Sequence, residues 1–232
     1  MQETVAKSVL SLALALAAPA SLAQIVAPDV LLRSVTNEVI GRIKLDTGLQ
    51  AGDPVKVAAL VETMVLPLFD FNRMTQSAMA RNWRLASPEQ QTALVAEFKT
   101  LLVRTYSSAL ANYRDEVIEF KRLRAAPSAT EVTVKSDVKR SGKEKMSLDY
   151  DMEKTPAGWR IYDVKVAGVR LVTTYRDAFA ERVRESGVEG LIKSLSEMNR
   201  QGDSRFKSVK AAFWEKSQLM YAIFRSMLER PQ

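Results

Sequence analysis

Residues 130–171 read TEVTVKSDVKRSGKEKMSLDYDMEKTPAGWRIYDVKVAGVRL, and this stretch decides the fold class. Val132, Val134, Ser136 and Val138 recur at every second position. Met146, Leu148, Tyr150 and Met152 then alternate with Lys145, Ser147, Asp149 and Asp151. Trp159, Ile161, Val164 and Val166 follow. A period near two puts successive side chains on opposite faces of a pleated strand. Ser141-Gly142 and Pro156-Ala157-Gly158 supply the turns, and Ala126-Pro127-Ser128 separates an earlier run with Ile118 and Phe120. The reading is four strands, at 116–124, 130–140, 143–154 and 158–171, in an antiparallel meander with one covered face. Asp149 and Asp151 fall on the opposite face and read as solvent-facing.

Outside this stretch the period becomes helical. Val30, Leu31, Val35, Val39 and Ile43 mark a helix over 29–45, and Thr47-Gly48 with Ala51-Gly52 read as its break. Asp53-Pro54 is an N-cap followed by proline at the first helical position. Pro67 ends that helix, and Asp70 caps a short one through Phe71, Met74 and Met79. Ser87-Pro88-Glu89-Gln90 is a capping box that opens the longest helix, with Phe98, Leu102, Tyr106 and Tyr113 on its apolar face. After the strands, Leu171, Val172, Tyr175, Phe179 and Val183 share a face up to Gly187, and Val188, Leu191, Ile192, Leu195 and Met198 form the next helix. The architecture expected is α+β, a four-stranded antiparallel sheet covered by several helices.

The two ends read differently from the middle. Lys7, an apolar run from Val9 to Ala18, and Ser21-Leu22-Ala23 have the order of a secretory signal, so 1–23 is expected to be removed and the mature protein to be periplasmic. Residues 202–232 carry Phe206, Val209, Phe213, Met220, Ile223, Phe224 and Met227 at helical spacing among Lys207, Lys210, Lys216, Arg225 and Arg230. They read as a basic amphipathic extension, suited to an anionic surface or to a patch of its own domain. The domain itself is then 24–201.

Composition excludes most chemistries. The chain has no cysteine and no histidine, which removes thiol nucleophiles, disulfides, Ser-His-Asp triads, histidine bases and the usual zinc sites. No catalytic residue, metal ligand or cofactor is assigned. A carboxylate-only periplasmic hydrolase survives this test but no residue pattern calls for it. The formal charge of +7 favours anionic partners. The basic clusters Lys121-Arg122-Arg124 and Lys139-Arg140-Lys143-Lys145 lack interleaved aromatics, so they read as solvated faces and not as a nucleic-acid site.

Pro67-Leu68-Phe69-Asp70-Phe71-Asn72-Arg73-Met74 resembles the start of the conserved region of the MlaC family. That family is the periplasmic phospholipid-binding component of the Mla lipid-transport system, also called toluene-tolerance protein. Trp83-Arg84-Leu85-Ala86 with Pro88, Gln90 and Phe98 continues the pattern, as do Tyr106, Leu110 and Tyr113. A second block is Trp159-Arg160-Ile161-Tyr162-Asp163-Val164, followed by Gly168-Val169, Tyr175-Arg176, Gly187 and Leu191. The resemblance spans roughly 27–201. Two positions depart from it: Arg170 stands where serine is usual, and Ala80 where glycine is expected.

The resemblance implies a non-enzymatic carrier that shuttles phospholipid between an inner-membrane ABC transporter complex and an outer-membrane lipoprotein complex, with a monomer sufficient for the task. It implies acyl chains held between sheet and helices. A diacyl lipid exposes on the order of 30 methylenes at about 0.8 kcal/mol each, so a carrier needs a matching apolar cavity and no general base. The wall residues expected are Phe71, Met74, Leu102 and Tyr106 from the helices, and Met146, Leu148, Tyr150, Val166, Val169 and Leu171 from the strands. Trp83 and Trp159 read as structural anchors and Asp70 as a helix cap. An apolar strand row is also what a solid core requires, and pattern alone does not separate the two. A ligand-free adaptor of the same fold is therefore the alternative.

Overall fold

The computed structural model of the chain describes residues 26–111, 116–126, 128–139 and 145–200. The expected signal segment, the 202–232 extension, Tyr113, Arg140 and Lys143 lie outside the described residues.

Local sequence sets the helix ends. Pro28 occupies the first turn of α1 (Pro28–Leu45). Asp46 then accepts hydrogen bonds from the Gly48 and Leu49 amides at 2.8 and 3.0 Å, so the expected break is instead a one-turn helix, α2 (Thr47–Ala51), closed by Gly52 at φ 76°. Asp53 caps α3 (Pro54–Leu60), which runs on as a π-helical turn (Val61–Val65) and a 3₁₀ turn (Leu66–Leu68). Asp70 receives the Arg73 amide at 2.8 Å and starts α4 (Phe71–Met79) as the sequence predicts. A 3₁₀ segment (Ala80–Leu85) leads to α5 (Pro88–Ala111). There the capping box is complete: Gln90 N–H donates to Ser87 Oγ and Ser87 N–H to Gln90 Oε1.

The sheet has five strands, not four: β1 (Val117–Phe120), β2 (Glu131–Lys139), β3 (Met146–Thr155), β4 (Gly158–Val166) and β5 (Val169–Arg170), antiparallel in sequence order. The extra strand arises because the expected strand 158–171 folds back at Ala167 and Gly168. Their φ values are 49° and 83°, and two central residues at positive φ suit the twist of a tight hairpin. Leu171 consequently starts α6 (Leu171–Arg200) and is not a strand residue. Inside α6, Gly187 at φ 69° and ψ −177° breaks the helical path where the sequence places a helix end.

Register arranges the covered face in rows. The first is Ile118–Val138–Met146, and the second Phe120–Ser136–Leu148–Val166–Val169. The third is Val134–Tyr150–Val164 and the fourth Val132–Met152–Ile161. The step from Ile161 to Val164 breaks strict alternation. A register shift opposite Asp151 and Met152 absorbs it, leaving both Tyr162 and Asp163 on the open face. The principal core joins the apolar residues of these rows, Val138 and Met146 excepted, to Leu32, Met74, Met79, Leu94, Phe98, Leu101, Leu102, Val172, Tyr175 and Phe179. A second, smaller core holds α1, α2 and α3 together through Val39, Ile43, Leu49, Val57, Leu60 and Val61.

Candidate functional site

Burial is uneven along the covered face. Met152 and Val134 are 0% exposed and Ile161 1%. Toward the β4–β5 turn, Ile118, Val138, Met146, Leu148, Val166 and Val169 are only half-buried although apolar. The sheet is therefore sealed at one end and incompletely covered at the other. Uncovered apolar surface costs roughly 25 cal/mol per Å², so a row of such side chains facing helices is suited to an apolar occupant.

Most of the residues expected at the wall belong to the principal core or pack on it. Leu148, Tyr150, Val166 and Val169 lie in the second and third rows, half-buried and packed on the principal core. Phe71 from α4 and Tyr106 from α5 do the same, while Met74, Leu102 and Leu171 are fully buried within that core. Met146 is half-buried in the first row but does not pack on the core cluster. Phe71 stacks on Phe69 at 5.7 Å between centroids, and Lys99 Nζ lies 5.5 Å from its ring. At the β1 edge Arg33 covers Phe120, its guanidinium 5.6 Å from the ring and its Nη2 donating to the Phe120 carbonyl. Trp159 is buried and Trp83 half-buried against the same core, as anchors should be.

A polar seam runs through this apolar region. Ser136 is fully buried in the second row and its hydroxyl donates to the Leu148 carbonyl. Burial drives the Tyr150 phenol pKa far above its ordinary value, opposed by its hydrogen bond with Ser136. The Tyr106 phenol is also pushed well up by burial, and it hydrogen-bonds to Tyr175, whose own pKa is raised to about 12 by burial. Tyr175 also bonds Thr105, and the Thr105 hydroxyl reaches the Leu101 carbonyl at 2.7 Å. With their pKa values raised by burial, these phenols are neutral, as low-polarity surroundings demand. Thr105 and Tyr175 give no warning of this role in the sequence, because each fits an ordinary helical face.

The open face of the sheet is ionic, and here one expectation is corrected. Asp151 is not solvent-facing: it is 3% exposed, beneath Arg170 Nη2 at 2.6 Å, Lys165 Nζ at 2.9 Å and the Thr133 hydroxyl at 2.6 Å. Its cross-strand neighbour Asp163 is 4% exposed and accepts Arg170 Nε at 2.8 Å. The second Asp163 oxygen accepts the Val164 and Val172 amides, the latter capping the start of α6. Farther along, Arg73 pairs with Glu131 and Glu153 and lies 3.6 Å above the Tyr162 ring. Its hydrogen bond holds the Glu131 carboxyl below the usual range. The basic clusters are partly paired as well, with Lys121 and Lys145 on Asp137 and Lys139 on Glu119. Among the described residues no group of three or more acidic side chains is placed to hold a metal. Nor is any described helix long and apolar enough to cross a membrane.

Residues 33–197 match the family model described as MlaC protein. The chain belongs to the MlaC family. The matched region includes all of the residues expected at the wall, from Phe71 to Leu171, and the whole sheet. Within the MlaC family the chain is 23% identical to the toluene tolerance protein ttg2D of Pseudomonas putida, over 69% of this chain and 74% of that one. It is 18% identical to the intermembrane phospholipid transport system binding protein MlaC of Haemophilus influenzae, over 73% and 81% of the two chains. Among solved structures it is similar to the phospholipid-binding protein of Ralstonia solanacearum in complex with a phospholipid. That likeness has 41% identity and a TM-score of 0.69, and covers 75% of this chain and 97% of that one.

Proposed function

We propose that this MlaC-family chain is a periplasmic phospholipid carrier, with acyl chains lying between the half-covered rows of the sheet and the helices above them. The observation that carries the reading is the incomplete burial of the apolar Leu148, Val166 and Val169 on the same face as the fully buried Val134, Met152 and Ile161. The 41% identical neighbour whose structure holds a phospholipid supports it. Binding there is driven by removing acyl surface from water. No proton transfer or nucleophile is needed, in keeping with the absence of histidine and cysteine. Delivery between inner- and outer-membrane complexes of the Mla type is part of the same proposal.

Native mass spectrometry of protein purified after secretion tests this. A mass increment of one or more phospholipids, removed by organic extraction, is expected. Bare protein that also takes up no labelled lipid from vesicles would sink the proposal. Val169→Glu sharpens it, since an unpaired carboxylate at an apolar wall costs several kcal/mol. The variant should fold, as judged by circular dichroism, and lose lipid. A folded variant with normal lipid content removes Val169 from the wall.

A further inference from the structure

Strand β5 is two residues long, and its two side chains point to opposite faces. Val169 ends the second row, half-buried on the core. Arg170 lies on the ionic face. The strand is tied to β4 by two register pairs, Lys165 with Arg170 and Val166 with Val169, beside the exposed Ala167–Gly168 turn. So short an edge strand is weakly held by its ladder alone. Arg170 supplies the rest: one guanidinium spans two buried carboxylates, Asp151 at 2.6 Å and Asp163 at 2.8 Å. Asp163 in turn accepts the Val172 amide at 3.1 Å, so the same cluster fixes the first turn of α6, where Leu171 and Val172 are buried. At the other end of the second row Phe120 is nearly sealed, under Arg33. The β5 end is the half-covered one.

We propose that Arg170 is a positioning residue for the pocket wall, and that its ion pairs with Asp151 and Asp163 set the rate at which lipid leaves the pocket. The inference rests on the pocket reading above. With Arg170 in place, β5 and the start of α6 stay against β4 and Val169 closes the row. When the guanidinium lets go, two neighbouring carboxylates face each other with Lys165 as the remaining cation, and the short strand is the element free to lift. Arg170 is 45% exposed in its side chain, so added salt reaches this cluster although the carboxylates are buried.

The test is lipid transfer followed by stopped-flow fluorescence. Protein loaded with NBD-labelled phosphatidylglycerol is mixed with excess unlabelled phosphatidylglycerol vesicles at low and high salt. Arg170→Ala should release lipid about tenfold faster than wild type while binding the same amount at saturation, and Arg170→Lys should fall between. Salt should accelerate release from wild type and not from Arg170→Ala. Asn199→Ala is the control for general loosening: it cuts the hydrogen bonds to Glu97 at the far end of α6 and should leave the release rate unchanged. Should Arg170→Ala fail to fold, the Arg170→Lys rate and its salt dependence decide. Release from the Arg170 variants within about twofold of wild type, or equal acceleration by Asn199→Ala, overturns the proposal. Wild-type protein that takes up no probe overturns the pocket reading itself, a result distinct from normal uptake with unchanged release.

Discussion

Asp163 does three things with one carboxylate, and none is visible in its neighbours along the chain. It binds Arg170, caps its own strand at Val164 and caps α6 at Val172. Alternation predicts its face correctly once the bulge is known, but burial of a charge depends on cations seven residues away and on another strand. Ala80 stands where the family resemblance leads one to expect glycine, and its backbone gives the reason. It sits after α4 at φ 49° and ψ −127°, a conformation costly for any side chain and open to glycine. Ala80→Gly should stabilise the protein by about 1 kcal/mol in urea denaturation, and destabilisation would show the strain argument to be wrong. Phe98 tests the core. It is fully buried, with its ring edge-on to Tyr175 at 5.0 Å and Phe179 at 5.1 Å. Phe98→Ala should cost about 3–5 kcal/mol, whereas Leu85→Ala, at a 66% exposed position, should change stability by less than about 0.5 kcal/mol.

Among the elements, helices were the most legible because their ends are chemical. Asp53-Pro54, Asp70 and the Ser87–Gln90 box all cap as read, since a side chain within three residues satisfies the free amides. Strand ends were less so. The strand expected over 116–124 stops at Phe120, because pairing with β2 and not propensity defines it. The β5 hairpin was missed because Ala167 at positive φ has no residue signature. Gly187 has one: its φ of 69° with ψ −177° is open essentially to glycine alone, and no atom would obstruct an added Cβ. Gly187→Ala should therefore cost about 1–3 kcal/mol through backbone strain, with lipid content unchanged. A neutral result in thermal denaturation would mean that α6 straightens there without loss.

For the molecule as a whole, the buried phenols link stability to alkaline pH. Tyr106, Tyr150 and Tyr175 have folded pKa values raised by burial, Tyr175 to about 12. Each folded phenol holds its proton more tightly than the unfolded one does. Their contribution is present below the ordinary phenol pKa of about 10 and is lost as pH rises through the folded values. Absorbance at 295 nm should show these tyrosines ionising together with unfolding measured by circular dichroism. Ionisation of all tyrosines in a still-folded protein would contradict their burial. The extension after Gln201 is a second whole-molecule question. Truncation there should leave bound lipid unchanged and weaken sedimentation with anionic vesicles. Loss of lipid would make the extension part of the pocket.

Sequence by itself determined the α+β class and the covered face of the first four strands, and with it that Leu148, Tyr150 and Val166 share that face. These follow from short-range periodicity, which the pleat and the helix pitch translate directly into faces. Tertiary structure alone decided where that covered face is sealed and where it stays half-open. Met146 and Met152 lie on one face of one strand, yet one is half-buried off the core cluster and the other is fully buried. The difference depends on which helix lies above each row. It also depends on a network from Arg170 to Asp151 that links residues 19 apart in sequence. Periodicity carries no information about either, because burial is a property of what arrives from elsewhere in the chain.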